Sequence, residues 1–272
     1  MDAIRSAIKA VTAEDGPMTV RQAFYQLVSR GAINKTEADY KQTVVRLLTE
    51  MRRDYSIPFD AIADNTRWMR KPKTHGSLRN MLEESKDFYR RALWNDQEVY
   101  VEVWLEKDAL ASVLLPETSE YDVPQMVTRG YPSVSYLYEA GATIKAQSKP
   151  TFIYYFGDHN PSGRDITRAT ESNLREFARG AEIHFRRIAV TREQIEDLKL
   201  PTRPTKTTDS RSKGFDGESV EVDAIPPAHL RALARTCIEL HIDQGLLQRT
   251  KLIEEQERQT LEGIYERMGG IQ

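Results

Sequence analysis

Residues 152–166, FIYYFGDHNPSGRDI, run from five apolar or aromatic side chains straight into Gly157-Asp158-His159-Asn160-Pro161-Ser162-Gly163. The run lacks the polar alternation of a half-exposed strand, which predicts a strand buried on both faces at the centre of an α/β sheet. The Pro-x-Gly turn then opens a helix near Arg164. Open α/β sheets bind ligands just beyond the carboxyl ends of such strands, so Asp158 and Asn160 stand at a site position. A second acid has the same setting. VYVEVWLEKDALASVL, residues 99–114, carries a β-rich run to Glu106, and Lys107-Asp108-Ala109 start a periodic helix. Two carboxylates at one sheet edge suit Mg²⁺ or Mn²⁺, because such ions take oxygen ligands and Mg²⁺ keeps several waters. Each acid also has a purely structural reading, Asp158 as a helix N-cap and Glu106 as a first-turn acid complementing the helix dipole. A calcium loop of the EF-hand type is excluded: its twelfth position would be Ala169, and Pro161 lies inside it.

The composition is that of a folded, water-exposed chain of 272 residues with net charge −2. That balance hides an asymmetry. Residues 1–95 carry 17 Lys+Arg against 12 Asp+Glu, and the remainder 22 against 29. A basic amino-terminal half suits phosphate contacts, although ordinary surface variation gives the same excess. Cys237 is the only cysteine, so no intrachain disulfide or cysteine-ligated zinc site is possible. The five histidines, at 75, 159, 184, 229 and 241, show no close metal-ligand spacing; His159 is the one placed by position to touch a phosphate or move a proton. No signal peptide and no membrane-spanning apolar run are present, which predicts a cytoplasmic protein, nucleoid-associated if bacterial or archaeal, with no membrane partner.

Three motifs in order resemble the Toprim domain of the topoisomerase VI A subunit and of its relative, the meiotic double-strand-break transesterase. Leu105-Glu106-Lys107-Asp108-Ala109 is similar to that family's first acidic motif, Arg129-Gly130-Tyr131-Pro132 to its Gly-Tyr-Pro segment, and Asp158-His159-Asn160-Pro161-Ser162-Gly163 to its Asp-x-Asp-Pro-x-Gly motif. Asn160 departs from the pattern, since the family usually has a second aspartate there. An amide still offers a carbonyl oxygen but neutralises no charge. In MTVRQAFYQLVSRGAI, Val20, Phe24, Leu27 and Val28 share one helical face and Gly31 ends it. A second helix over 36–53 is basic at its end, with Arg46, Arg52 and Arg53, and IPFDAIADNTRW after it reads as a short β-wing. Arg21-Gln22-Ala23-Phe24-Tyr25 resembles the family's Arg-x-x-Tyr-Tyr segment and places Tyr25 on the nucleophile. A tyrosine on an amphipathic helix is otherwise a packing residue, and a phenol, with a pKa of about 10, needs activation before it attacks.

The resemblance thus implies an α/β protein with a winged-helix (CAP-like) DNA-binding domain over 1–95 and a Toprim domain with a mostly parallel sheet and carboxyl-terminal helices over 96–272. It implies metal-dependent cleavage of double-stranded DNA by a homodimer. Tyr25 would be the nucleophile, Arg21 the charge stabiliser and Glu106 an acid-base group or ligand, beside Asp158 and Asn160 as further ligands. No Walker-type loop is present, so strand passage would need a separate GHKL ATPase subunit of the B type. A hydrolytic Toprim nuclease and a non-cleaving DNA-binding protein are the alternatives.

Elsewhere the pattern predicts a joining helix over 74–94 with Leu78, Met81, Leu82, Phe88, Tyr89 and Leu93 buried, and strands over 98–105, 123–127, 151–157 and 182–190. Helices are predicted over 107–115, 132–147 and 163–179 and from 227 onward. The Pro-, Thr- and Ser-rich segment 200–217 is a loop whose Lys206, Arg211 and Lys213, with Lys107 beside Glu106, are candidate DNA contacts. Residues 219–225 read as a strand with Glu221 and Asp223 on one face, able to supplement a metal site or to line an edge.

Overall fold

A computed structural model describes residues 1–63, 72–205, 215 and 217–269. In chain order the elements are α1 (Asp2–Asp15), α2 (Val20–Ser29), α3 (Arg46–Arg53), α4 (Leu78–Phe88), β1 (Tyr100–Leu105), α5 (Ala111–Glu120), β2 (Gln125–Val127), α6 (Val134–Gln147), β3 (Thr151–Phe156), α7 (Pro161–Phe177), β4 (Ile183–Ala189), α8 (Arg192–Asp197), α9 (Pro227–Glu239) and α10 (Gln244–Gly269). The four strands form one all-parallel sheet in the order β2-β1-β3-β4.

Burial on both faces accounts for the apolar runs that mark β1 and β3. On one face Val101, Val103, Leu105, Tyr154 and Phe156 pack with α5 and α9; on the other Trp104, Ile153 and Tyr155 pack with α6 and α7. The register sets Leu105 beside Phe156, so β1 and β3 end level and hand over Glu106 and Gly157-Asp158 side by side. The first core also takes in Ile8, Val11, Leu27, Leu47, Leu48 and Met51 of α1–α3, so the amino-terminal helices and the sheet share one buried cluster. The expected boundary near Asn95 falls in the irregular stretch between α4 and β1.

α2 starts with a full capping box: Thr19 Oγ1 accepts from Gln22 N, and the Gln22 side chain accepts from Thr19 N. The second basic helix is interrupted, with a π-helical stretch over Asp39–Val45 before α3. The expected β-wing is not found among the described residues. Pro58 supplies no N–H, Phe59–Ala61 form a 3₁₀ turn, and the only pairing is the bridge of Ile62 to Met18, with Ile57 and Ile62 buried. The rest of that segment, from Asp64, lies outside the described residues.

The joining helix is shorter than predicted, and its apolar positions are not core. Leu78, Met81 and Phe88 are exposed, and only Leu93, beyond the helix, is fully buried. α4 packs on α10 through charge instead, with Lys86 on Glu262 at 2.7 Å and Arg79 over the Tyr265 ring at 4.5 Å. The strand expected at 219–225 is reduced to single bridges at Ser219 and Val220, followed by a buried 3₁₀ turn over Val222–Ala224 that Pro226 closes. No helix among the described residues is long and apolar enough to cross a membrane.

Candidate functional site

Where β1 and β3 end, the backbone itself ties the two acids together. Glu106 N donates to the Phe156 carbonyl at 2.9 Å, and Asp158 N donates to Glu106 Oε2 at 3.0 Å. Both carboxylates are buried. Burial first, and then the charge of Asp158, push the Glu106 carboxyl up to about 7, against the opposing pull of Lys107 and Arg187. Gly157 permits this approach, since a Cβ there would lie 2.6 Å from Glu106 Oε2 and from Tyr155 Cε1. Gly163 permits the next one, since a methyl group on it would run into the Asp158 carbonyl oxygen. Gly163→Ala is therefore expected to cost about 2 kcal/mol of stability through overpacking against fixed backbone. A melting temperature equal to that of the parent would show that the turn can give way.

Lys107 sits among the acids. Its Nζ lies 2.6 Å from Asp223 Oδ2, 2.9 Å from Asp158 Oδ1 and 3.2 Å from Glu221 Oε2. Burial alone would lower the ammonium pKa, but the three carboxylates outweigh it and raise it. Asp158 Oδ1 accepts in addition from Val222 N at 2.9 Å. Glu221 is bound on its other side by Arg21, through Nε at 2.6 Å and a terminal nitrogen at 2.7 Å, and by Arg203 at 3.1 Å. Burial would raise this carboxyl too; the Arg21 hydrogen bonds and the Lys107 and Arg203 charges hold it at about 2. Arg21 is thus committed to Glu221, and α2 is tied to the strand-end acids through the chain Arg21, Glu221, Lys107, Asp158.

Tyr25, one turn along α2, is only 3% exposed. Burial, and then Glu221, push its phenol up to about 12 against Arg21, Lys107 and Arg203. Lys35 Nζ lies 5.3 Å from its ring centroid. The phenol therefore shares one electrostatic environment with Lys107 and Glu221 but is not poised as phenolate.

Asn160 is the N-cap of α7. Its Oδ1 accepts from Gly163 N at 2.8 Å, and its Nδ2 donates to Asp158 Oδ2 at 3.4 Å, so the carbonyl expected to face a metal is engaged in the cap. His159 is buried, with its pKa lowered by that burial, and its backbone pairs with Val220. Among the expected DNA contacts, Arg46 pairs with Glu50 at 2.7 Å, Arg53 is exposed and Arg52 borders the site. Lys206, Arg211 and Lys213 lie outside the described residues.

Arg187 of β4 carries no motif and is the residue that sequence inspection missed. It donates to the carbonyls of Gly157, at 2.9 Å, Asp158 and Gly163 and to Thr167 Oγ1 at 3.1 Å, clamping the turn that carries Asp158. The one trace of it in the sequence is the charged pair Arg186-Arg187 inside an otherwise β-rich run, Ile183–Ala189.

A cleft of about 540 Å³ opens between α2 and the strand ends, lined by Thr19, Arg21, Arg52, Lys107, Asp158 and Glu221 among others. Magnesium is commonly held by one or two carboxylates, with water and a substrate phosphate completing the shell. Glu106 and Asp158 supply that number of carboxylates, adjacent and desolvated, and an ion held by both would share Asp158 Oδ1 with the Lys107 ammonium at 2.9 Å. Among the described residues no group of three His, Cys, Asp or Glu converges on a metal position, and Glu221 and Asp223 are turned on Lys107. The donor set suits a hydrated ion completed by phosphate better than a cage built wholly by protein. No protein-family model matches the chain, and no curated protein does.

Proposed function

We propose that this chain is a Mg²⁺-dependent enzyme that cleaves DNA by tyrosine transesterification, similar in kind to the A subunit of topoisomerase VI. The observation that carries it is the pairing of Glu106 and Asp158 at level strand ends, where Asp158 lines a cleft whose other wall is α2, with Arg21 at the cleft and Tyr25 buried behind it. A bound Mg²⁺, held by Glu106 and Asp158, would supply charge neutralisation at the scissile phosphate. Arg21 and Lys107 bring fixed cations to the same cleft, where charge develops on the phosphate oxygens. Tyr25 Oη gives up its proton to water as it attacks phosphorus, the phosphodiester P–O bond breaks, and the products are a phosphotyrosine and, once the leaving oxygen takes up a proton in exchange, a free hydroxyl. Glu106, whose carboxyl stands at about 7 before any ion binds, serves either as an ion ligand or as the donor of that proton, since a carboxylate that holds the ion has no proton to give. The tyrosyl bond retains the energy of the broken one, so the reverse attack rejoins the strand.

Two copies would cut both strands, and strand passage would call for a separate ATPase subunit of GHKL type. A cytoplasmic location, nucleoid-associated if the source is bacterial or archaeal, goes with that role.

The 3% exposure of Tyr25 favours a second reading, hydrolysis, in which water replaces the phenol as nucleophile. Supercoiled plasmid incubated with the protein and Mg²⁺ or Mn²⁺, stopped with denaturant and run with and without protease, separates the two. Protein-linked breaks that vanish in Tyr25→Phe are the expected result. Unlinked breaks that persist in that variant would establish hydrolysis. Plasmid that is bound but never cut would reject both in favour of a non-cleaving DNA-binding protein.

A further inference from the structure

Tyr55 and Phe59 stand in solvent, 83% and 58% exposed, at the end of α3. Tyr55 follows Asp54, the C-cap, in the left-handed conformation, φ 59°, with its N–H closing the helix end on the Arg52 carbonyl at 3.2 Å. Glycine is the ordinary occupant of that place, because a Cβ there strains the backbone. Neither burial nor backbone geometry therefore accounts for an aromatic residue at 55. The two rings lie 6.4 Å apart, and the Arg52 guanidinium is 5.7 Å from the centroid of Phe59. Arg52 also lines the cleft that holds Asp158 and Lys107, so the aromatic pair stands one side chain from the site. Arg53 is exposed beside it; of the nearby acids, Asp54 is engaged by Arg5 at 3.6 Å and by Ser56 N at 2.9 Å, and Asp60 is exposed.

We propose that Tyr55 and Phe59 form a stacking platform for an unpaired nucleobase, so that the chain engages DNA at a locally opened step beside the cleft. The inference rests on the DNA reading above and adds the form of the substrate. A base presents a flat π-face to any aromatic ring, and the flanking phosphates fit the arginines at the same edge. Single exposed rings are ordinary on protein surfaces; two adjacent ones, one on a strained backbone, with the Arg52 guanidinium between them and the cleft and Arg53 exposed beside it, match the make-up of a single-strand platform.

The test measures affinity, without added metal, for two DNA duplexes of equal length. One is fully paired, and the other carries a short central bubble with 2-aminopurine in it. Wild-type protein should prefer the bubble about tenfold and change the 2-aminopurine emission. Tyr55→Ala/Phe59→Ala should lose both the preference and the emission change, with unaltered affinity and salt dependence on the paired duplex. Tyr55→Gly should weaken the preference while raising the melting temperature by about 2 °C as the strained position relaxes. Equal wild-type affinity for both duplexes, or a preference that survives in the double variant, overturns the platform and leaves the DNA reading standing. Failure of wild-type protein to bind either duplex overturns both.

Discussion

Glu106→Gln is expected to abolish cleavage, by a thousandfold or more, and at the same time to stabilise the protein at pH 8. The activity half follows from charge. The carboxylate pair becomes a single carboxylate, and a group that serves as ion ligand or as proton donor is lost. The stability half follows from linkage. The folded Glu106 carboxyl stands at about 7, whereas an unfolded glutamate titrates at about 4.3. A raised value means that its contribution to stability is complete below the unfolded value and is lost as pH rises through about 7; at pH 8 the ionised buried group costs about 4 kcal/mol. An amide can accept the Asp158 N–H without ionising, so the variant should recover about 2 kcal/mol of that cost. Below pH 4 the advantage should disappear. Mg²⁺ should raise the wild-type melting temperature at pH 8 and leave that of the variant nearly unmoved, since an ion that binds only the folded state stabilises it in proportion to its affinity. Because proton and ion compete for one carboxylate, the pH midpoint of wild-type cleavage should fall as Mg²⁺ rises. A Glu106→Gln protein that still cuts, or one less stable than the parent at pH 8, would remove the acid pair from the mechanism.

The sheet and the acids at its edge could be read from the sequence because each rests on local rules. TFIYYF and YVEVWL are mainly apolar on both faces because both faces are covered, the exception being the buried Glu102, which accepts the Trp104 indole N–H at 2.7 Å, and Gly157 and Pro161 punctuate the chain at fixed distances from Asp158. What could not be read rests on contacts between distant segments. Arg187 clamps the Asp158 turn from 29 residues away, and Lys107 meets Glu221 and Asp223 across more than a hundred. Glu221 and Asp223 suggested extra ligands or an edge by their spacing, but only the fold reveals that a lysine already occupies the space between them and Asp158. The exposed face of α4 departs from its sequence pattern for a related reason. Periodicity predicts that a stripe exists and cannot say whether a partner covers it, and here Leu78, Met81 and Phe88 remain in solvent while charged pairs hold α4 to α10.

Lys107→Met should be the most destabilising single change at the site. Methionine matches the length of lysine and leaves three carboxylates that the ammonium had bridged at 2.6, 2.9 and 3.2 Å. Arg21 and Arg203 continue to hold Glu221, so the uncompensated charge falls on Asp158 and Asp223. Removing one partner of a buried ionic cluster costs about 3 kcal/mol, because the charges left behind remain desolvated. That is a fall of roughly 8 °C in melting temperature for a chain of this size. The deficit should be greatest near pH 7 and shrink in acid. In the parent, Glu221, held against burial at about 2 by the Arg21 hydrogen bonds and then by the Lys107 charge, contributes stability that is present above the unfolded value of about 4.3 and lost only as pH falls toward 2, and the variant forfeits the Lys107 share of it. Lys107→Arg, which keeps the charge but not the shape, should lose less. Millimolar Mg²⁺ should recover more stability in Lys107→Met than in the parent, because a divalent ion can neutralise the carboxylates that the ammonium has left. If Lys107→Met melts with the parent at pH 7, or if its deficit is the same at every pH, then Lys107 is a surface cation that happens to lie near the acids. A deficit that follows pH and is filled by the ion makes the same lysine the internal counter-charge of an acid site, the group that allows four buried carboxylates to share one sheet edge before any ligand arrives.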